Sequence, residues 1–471
     1  MTGRHGTRMT IPVPSALPAT PARRAIGALL LAVALAALLA PALWNGWPLV
    51  FFDTGGYVRR AILLELEPGR SLFYGLFLEG ASLGWLSLWG PVIVQAAVTL
   101  WLIRLTLRAL DLPFGPGVLA ALAILLSATT GIAWFTAQLM PDALVPLLVL
   151  CLWLLGFRYD RLSRWERAGV VLVALLALLS HMSSMALAVG LVLVTVAAAV
   201  AARRLGWRAH VRVLPPALVV AASLILMPLL HLAIVGKAVY TPGGPVFVFG
   251  RLVQDGLAQK RLDAVCPADP SAYALCAHRA AMPKTANDFI WHTESPFRKI
   301  GWWGGADAEL SRLSRDIIAA YPADFVFTAL RSTVQQLAKV ATGDGLDEWQ
   351  EVTRWAVNTH LPHLAPGFNA AMQQRERTTQ SLFDGLNAVH VPVAHLSALG
   401  LILALAWAAR TGRTDLALLA GVVLLALLGN AFISGALSNP HDRYQSRIVW
   451  LASLVVVAAA LSWRAAAQRR K

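Results

Sequence analysis

Charged residues are scarce in this chain of 471 residues. Asp, Glu, Lys and Arg make up 14% of the sequence, whereas soluble domains carry roughly 25%. Hydrophobic residues account for 57%. This balance excludes an ordinary soluble protein and predicts an all-α membrane protein with many spans, because a spanning helix needs a long apolar run.

Acidic residues are fewer than basic ones, 25 against 40, so the formal net charge is +15. In a soluble chain this excess would point to nucleic acid, but no basic stripe with interleaved aromatic residues is present. In a membrane protein, Lys and Arg collect on cytoplasmic loops. We therefore expect a lipid bilayer, and no nucleic acid, as a partner.

Nucleotide-binding signatures are missing. The chain has no G-x-x-x-x-G-K-[ST] motif and no G-x-G-x-x-G after a predicted strand. We therefore expect no nucleotide cofactor. Cys and His residues also lack a spacing typical of zinc sites.

Cysteine is rare, with three residues in all. Cys151 falls within an apolar run and is expected to be a small core residue. Cys266 and Cys276 lie close together in a long polar loop. If this loop is in an oxidising compartment, a local disulfide is favoured over two unpaired thiols.

Ten apolar runs are candidate membrane spans, although several are short for the roughly 20 residues that a span requires. They cover residues 25–43, 91–107, 117–134, 143–157, 168–182, 185–202, 214–235, 391–409, 416–434 and 448–463. The stretch 71–89 is also apolar, and we interpret it as interfacial or re-entrant rather than spanning. A span there would reverse the orientation of all that follows.

The short loops indicate the orientation. With ten spans, the segments on one side hold twenty Lys and Arg against four acids: 1–24, 104–116, 158–167, 203–212, 410–415 and 464–471. By the positive-inside rule these segments and both termini are cytoplasmic. We expect a bacterial cytoplasmic membrane. The first run resembles either a signal peptide or an uncleaved anchor, and its length favours the anchor.

Two membrane blocks flank one long loop. Residues 1–235 would carry seven spans and 391–471 three, with 236–390 between them on the outer, periplasmic side. Helical spacing of apolar residues predicts that this loop is a mostly helical domain. The first outer segment, 45–89, is interrupted by Pro and Gly and is expected to be structured as well.

Polar side chains gather at the predicted outer ends of the spans. An isolated acid at the edge of such a bundle is costly unless it has a use. Asp53 could be this acid, or it could only cap a short helix. The predicted outer-face group comprises Asp53, Asp142, His181, Asn439, His441, Asp442, Arg443, Tyr444 and Arg447.

The members of this group also have structural interpretations. Asp142 follows Pro141 and would suit the first turn of a helix, and His181 would suit a hydrogen bond within the bundle. Arg443 and Arg447, four residues apart, share one helical face. They could bind a phosphate through forked hydrogen bonds, or extend towards lipid headgroups.

Together these residues suit transfer of a group from a phosphate carrier. A carboxylate can take a proton from an acceptor hydroxyl as a general base. Arginines can stabilise the charge that develops on a leaving phosphate. A membrane would supply a lipid-linked donor from the side.

The segments Asp53-Thr-Gly-Gly-Tyr57, Met140-Pro-Asp-Ala-Leu144 and Arg443-Tyr444 resemble those of the GT-C integral-membrane glycosyltransferases. The resemblance implies a polyprenyl-phosphate-sugar donor and a lipid, glycan or protein acceptor on the outer face. It further implies Asp53 as base and Asp142 as auxiliary acid.

Under the same resemblance Arg443 and Arg447 contact the donor phosphate, and the other candidate substrate contacts are Tyr57, His181, His441 and Tyr444. Many members carry two adjacent acids in the first loop, where this chain has Asp53-Thr54. A divalent cation on Asp53 and Asp142 therefore stays open. Alternative functions are a transporter or flippase, or a ligase or polymerase, for lipid-linked glycans.

Overall fold

The structure is a computed structural model that describes residues 20–66, 68–204, 211–346, 350–375 and 380–468. The predicted cytoplasmic segments 1–24, 203–212 and 464–471 therefore lie partly outside the described residues. The described part is all-α. It contains no β-strand, and one isolated bridge joins Leu49 to Gln138.

The described residues form ten helices before the long loop. They are α1 (Pro21–Asn45), α2 (Thr54–Leu63), α3 (Leu72–Ala81), α4 (Trp89–Ala109), α5 (Pro116–Thr129), α6 (Ile132–Thr136), α7 (Leu144–Phe157), α8 (Arg164–Ser180), α9 (Met182–Arg204) and α10 (Leu214–Val235).

In the part of the loop that the structure describes, nine further helices lie between α10 and the last three. They are α11 (Gly244–Gln254), α12 (Leu257–Val265), α13 (Ala286–Trp291), α14 (Pro296–Lys299), α15 (Trp302–Gly305), α16 (Asp307–Ala320), α17 (Pro322–Ala338), α18 (Glu351–His360) and α19 (Ala365–Ala370). The chain then ends with α20 (Gln380–Arg410), α21 (Thr414–Leu437) and α22 (Asp442–Gln468). Short 3-10 helices cover Pro141–Ala143, Tyr159–Arg161, Ala274–Ala281 and Met372–Gln374.

Seven of the described helices are long and apolar enough to cross a membrane: α1, α4, α9, α10, α20, α21 and α22. This is the composition of a multi-pass membrane protein. Large apolar side chains on these helices are exposed, as expected where a helix faces lipid rather than water. Examples are Leu29, Leu193, Ile225 and Leu403.

Three of the predicted spans form shorter helices. The run 117–134 is divided between α5 and α6, 143–157 corresponds to the 14 residues of α7, and 168–182 ends with the 17-residue α8 at Ser180. At 1.5 Å per residue α7 is about 21 Å long, which is less than the roughly 30 Å hydrocarbon thickness. The count of about ten spans therefore stays a prediction. The apolar stretch 71–89 contains only one complete short helix, the ten-residue α3.

The two ends of the bundle carry different connections between helices. One end, here called the basic end, carries arginine–carboxylate pairs that tie neighbouring helices together, such as Arg108–Glu166 and Arg158–Asp415. The opposite end, here called the site end, receives the long loop. The helices alternate in direction, so α9 and α22 begin at the site end and α1, α10 and α21 finish there.

The predicted outer segment 236–390 has two parts. Helices α11 to α16 enclose a separate apolar core around Phe249, Phe289 and Phe297, and a Cys266–Cys276 disulfide with a Cα–Cα distance of 5.4 Å joins two segments of this part. The remainder packs directly on the bundle. Helix α17 lies against α21, and α18 lies against α2. A glycine allows the first contact, because a Cβ at Gly435 would lie 2.7 Å from the Ser332 carbonyl oxygen.

Candidate functional site

The loop before α2 is held in place by hydrogen bonds from distant parts of the chain. Leu49 pairs with the backbone of Ala137 and Leu139, at 2.9 and 2.8 Å. The amide of Gln373 donates to the Val50 carbonyl at 2.7 Å and accepts from the Val50 N–H at 3.0 Å. These bonds fix the backbone that leads into Asp53.

Asp53 occupies the N-cap position of α2, but its carboxylate makes no capping hydrogen bond. Instead it forms an ion pair with Arg70, whose guanidinium also lies over the Trp291 ring at 5.7 Å. The Asp53 side chain is 18% exposed and lines a cavity. The capping interpretation of its carboxylate therefore has no support in the geometry.

This cavity, here called the arginine cavity, measures about 930 Å³ and lies between the bundle and the α11–α16 part. Three arginines line it, Arg70, Arg251 and Arg443, against one carboxylate, Asp53. Arg251 is engaged by Asp255 and by Ser332. Arg70 and Arg251 are each paired with a carboxylate, so the net positive charge that attracts an anion comes from Arg443, which shares Asp142 with Arg447.

A second cavity of about 490 Å³, here called the acidic cavity, lies beside it. Asp344, Asp384 and Asp442 line it together with Asn387. Asp344 comes from a tight turn between Gly343 and Gly345, whose φ angles are +105° and +76°. Residues with a side chain rarely adopt these backbone angles, so the glycines on both sides of Asp344 allow the turn.

The acidic turn is fixed from two helices. From α20, Asn387 donates to the Thr342 carbonyl at 2.9 Å and accepts from its N–H at 2.7 Å. At the start of α22, the Arg443 N–H donates to the Asp344 carboxylate at 3.0 Å. Burial alone would raise the pKa of Asp344, but the bonds from His441 and Arg443 hold this pKa below its usual range.

Four residues line both cavities and so form a common wall: Phe51, His441, Arg443 and Tyr444. The Arg443 guanidinium lies 4.1 Å from the centre of the Phe51 ring and 5.1 Å from that of Tyr444. Its Nη1 atom is buried without a hydrogen-bond partner among the described residues. Arg443 therefore lines both cavities and keeps one N–H donor that no described residue uses.

Other predicted site residues form a buried network beneath this wall. Arg447 is fully buried and donates to Asp142 at 2.9 Å, to His181 at 3.0 Å and to Asn430 at 3.2 Å. Because a guanidinium only donates, Nε2 of His181 accepts and its Nδ1 donates to Ser183 at 2.9 Å. Arg447, Asp142 and His181 line neither cavity.

The predicted group is therefore divided into two layers. Asp53, Asn439, His441, Arg443 and Tyr444 line the arginine cavity, whereas the Asp142 network lies below it. The Arg443 Nε atom, 3.8 Å from the Asp142 carboxylate, connects the layers.

Asp442 lines only the acidic cavity, where its carboxylate accepts from the Ala341 N–H at 2.9 Å. Tyr57 lies in the core, 5% exposed, with its ring edge against Tyr74 at 5.0 Å. Burial raises the pKa of the Tyr57 phenol well above its usual range. The structure therefore places Tyr57 in packing and not at either cavity.

Four charged cavity residues were missed by sequence reasoning: Arg70, Arg251, Asp344 and Asp384. Arg70 follows a Pro68-Gly69 turn, and Asp344 lies between two glycines. Glycine and proline at these positions predict a turn. This was the signal in the sequence that could have pointed to Arg70 and Asp344. Arg251 belongs to a regular helix, so its sequence carried no signal.

Metal ligands do not cluster in the described part of the chain. There, no three His, Cys, Asp or Glu side chains come together as a ligand set. The two predicted metal candidates are each paired with an arginine, Asp53 with Arg70 and Asp142 with Arg447.

An apolar groove of about 510 Å³ runs between α9 and α21. Its lining includes Gly190 and Gly429, whose missing side chains widen it, and Leu437 at the site end. Leu437 also lines the arginine cavity. The groove therefore approaches the cavity along the side of the bundle.

Comparison with known proteins adds no further identification: no protein-family model, curated protein or solved structure matches this chain.

Proposed function

We propose that the protein is a membrane glycosyltransferase. It moves a sugar from a polyprenyl-phosphate-linked donor to a lipid, glycan or protein acceptor at the site end of the bundle. One observation carries the proposal: an arginine-rich cavity and an apolar groove are neighbours that share Leu437 as a lining residue. A ligand with an anionic head and a long apolar tail suits both.

The head of the donor is a phosphodiester that becomes a phosphate when the sugar leaves. Arg70 and Arg443 line the cavity from two sides, and Arg443 has a buried N–H group without a partner among the described residues. Preorganised arginines stabilise developing negative charge without reorganisation during the reaction. Asp53 holds Arg70 through its ion pair.

The tail is an isoprenoid chain that belongs in lipid. The groove between α9 and α21 is lined by Leu, Val, Ile, Ala, Gly and Phe side chains. Both helices are apolar enough to span a membrane, so the groove lies at the side of the bundle where a lipid arrives. Apolar burial there contributes about 0.8 kcal/mol per CH₂ group.

The site end is the outer face in this proposal, and both termini are cytoplasmic. The arginines of the basic end support this orientation by the positive-inside rule. The Cys266–Cys276 disulfide at the site end is typical of an oxidising compartment. A bacterial cytoplasmic membrane with the site end in the periplasm satisfies both.

The test is binding of undecaprenyl phosphate to the full chain in nanodiscs. Undecaprenol, which lacks the phosphate, and phosphatidic acid, which lacks the isoprenoid, are the comparison ligands. We expect undecaprenyl phosphate to bind at least tenfold more tightly than either. Equal binding of undecaprenol would remove the role of the arginine cavity.

A substitution in the groove tests binding of the isoprenoid tail separately from binding of the phosphate head. A Cβ at Gly190 meets no atom within 4 Å, so Gly190→Phe fills the groove without backbone strain. Gly421 on α21 has the same open surroundings but does not line the groove, so Gly421→Phe is the matched control. We expect only Gly190→Phe to weaken binding and to slow release of undecaprenyl phosphate from a panel of undecaprenyl-phosphate sugars. If both variants bind like wild type, the groove assignment is wrong.

A further inference from the structure

The two cavities offer different chemistry on the two sides of one wall. The arginine cavity is lined by three arginines and one carboxylate, whereas the acidic cavity is lined by three carboxylates, Asp344, Asp384 and Asp442, and one arginine, the shared Arg443. Carboxylates repel a phosphate at short range. The acidic cavity is therefore unsuited to the anionic donor and is available to a second, uncharged reactant.

The lining of the acidic cavity suits a carbohydrate. Carboxylate oxygens accept hydrogen bonds from hydroxyl groups, and the Asn387 amide has a second N–H and a second lone pair beyond its two bonds to Thr342. Aromatic rings supply apolar faces for the C–H side of a sugar ring, and Phe51, Phe383 and Tyr444 line the same space. A volume of about 490 Å³ lies within the range of small-ligand sites.

His441 lies in the wall, where a proton would have to leave the acceptor. Its backbone is fixed by the buried Gln336, which donates to the His441 carbonyl at 2.8 Å and accepts from its N–H at 3.0 Å. Its Nδ1 atom lies 3.5 Å from the Asp344 carboxylate, and its side chain is 54% exposed. A carboxylate at Nδ1 favours the tautomer that leaves Nε2 as an acceptor.

The acids predicted from the sequence are less suited to accept a proton. Asp53 is paired with Arg70 and lines only the arginine cavity. Asp142 is buried and bound by Arg447. Each of these carboxylates is therefore already engaged by a guanidinium, and neither lines the acidic cavity.

We propose that the acidic cavity binds a carbohydrate acceptor and that His441, positioned by Asp344, is the general base. The inference rests on the proposed function. Nε2 of His441 takes the proton of an acceptor hydroxyl as its oxygen forms a bond to the anomeric carbon. The bond from that carbon to the phosphate oxygen breaks, and its electron pair leaves with undecaprenyl phosphate. No oxidant or metal is needed for this balance.

The experiment uses the full chain in nanodiscs with undecaprenyl-phosphate sugars as donors. Octyl glycosides serve as carbohydrate acceptor probes, and octanol and a short peptide serve as the other acceptor classes. Release of undecaprenyl phosphate is measured. We expect octyl glycosides to be used in preference to octanol and the peptide.

His441→Gln should lower kcat by roughly 100-fold or more, the contribution typical of a general base, with little change in KM for the donor. Asp344→Asn should lower kcat less, and added imidazole should partly restore His441→Ala. Asp53→Asn should chiefly raise KM for the donor. His292→Gln, an exposed imidazole on the α11–α16 part, is the matched control and should be unchanged.

The results discriminate between the proposals. Wild-type rates in a folded His441→Gln, or loss of kcat at unchanged KM in Asp53→Asn, would overturn the assignment of the base and leave the proposed function intact. Use of the peptide in place of the glycosides would overturn the acceptor class. A wild-type chain that neither binds undecaprenyl phosphate nor releases it from any donor would overturn the proposed function as well.

Discussion

Arg447 and Asp142 form a hydrogen-bonded ion pair of 2.9 Å in the interior of the bundle, although they lie 305 positions apart in the sequence. The pair joins the start of α22 to the turn before α7. A buried pair of this kind matters chiefly through the cost of leaving one charge alone. Its position beneath the wall makes it a support for Arg443 and His441.

We expect Asp142→Leu and Arg447→Met each to lower the free energy of unfolding by about 3 kcal/mol or more, because each leaves the other charge buried. The double variant should lose less than the sum of the two, since neither charge remains. Thermal unfolding in detergent measures all three. Strictly additive losses would contradict this coupling.

A second prediction concerns the stability of the turn that contains Asp344 and Gly345. The φ angle of Gly345 is +76°, and an added Cβ would lie 1.8 Å from a ring atom of Phe51. Gly345→Ala should therefore cost roughly 1–2 kcal/mol from the backbone alone, and more from the clash. The double variant with Phe51→Ala should recover the steric part.

Gly412→Ala separates the two contributions in the same unfolding assay. Gly412 has a φ of +73° and open space around it, so only the backbone cost applies. Equal losses at Gly345 and Gly412 would show that Phe51 does not restrict the turn.

The ion pair of Glu166 with Arg108 predicts that the stability of the fold at the basic end depends on pH. Hydrogen bonds from Arg108, at 2.6 and 2.7 Å, lower the pKa of Glu166 from 4.5 to about 2. When the pKa of a carboxyl group is lower in the folded state than in the unfolded state, its ionised form stabilises the fold. This stabilisation is complete at a pH above the unfolded-state pKa, and it is lost as the pH falls through the folded-state pKa.

Glu166→Gln should therefore be less stable than wild type at pH 7, and the difference should shrink as the pH falls from about 4.5 towards about 2. Unfolding curves across this range provide the measurement. Glu65→Gln, which removes an exposed partner of Arg59, should show little difference at any pH. A constant difference for Glu166→Gln would rule out this linkage.

Arg443 predicts an effect on binding. We expect Arg443→Gln to weaken undecaprenyl phosphate binding by about tenfold, which corresponds to about 1.4 kcal/mol, because the guanidinium lines the arginine cavity. Arg59→Gln, at an exposed arginine outside both cavities, is the control. Unchanged binding for a folded Arg443→Gln would exclude it as a phosphate contact.

Sequence reasoning could predict the apolar runs, the local disulfide and most of the polar residues at the site end. These depend on local composition and short spacing. It could not separate Arg443, which lines the cavities, from Arg447, which lies beneath them. The two share one helical face, and only packing against Asp142 and His181 distinguishes them.

The pairing of Asp53 with Arg70 was equally hidden. The two lie seventeen positions apart, with α2 and a turn between them, and no periodicity predicts such contacts. The two glycines predict the turn at Gly343-Asp344-Gly345, but its proximity to His441 depends on contacts between residues about a hundred positions apart. The span count is limited in the same way, because α7 is short and buried on all sides within other helices.

The shared wall has a thermodynamic consequence. Phe51, His441, Arg443 and Tyr444 contact both cavities, so a ligand on one side changes the surroundings of a ligand on the other. Such coupling is reciprocal: the factor by which the first ligand alters the affinity of the second equals the factor in the opposite direction. Measuring octyl glycoside affinity with and without undecaprenyl phosphate would therefore quantify the coupling between the two ligands across the wall, independently of turnover.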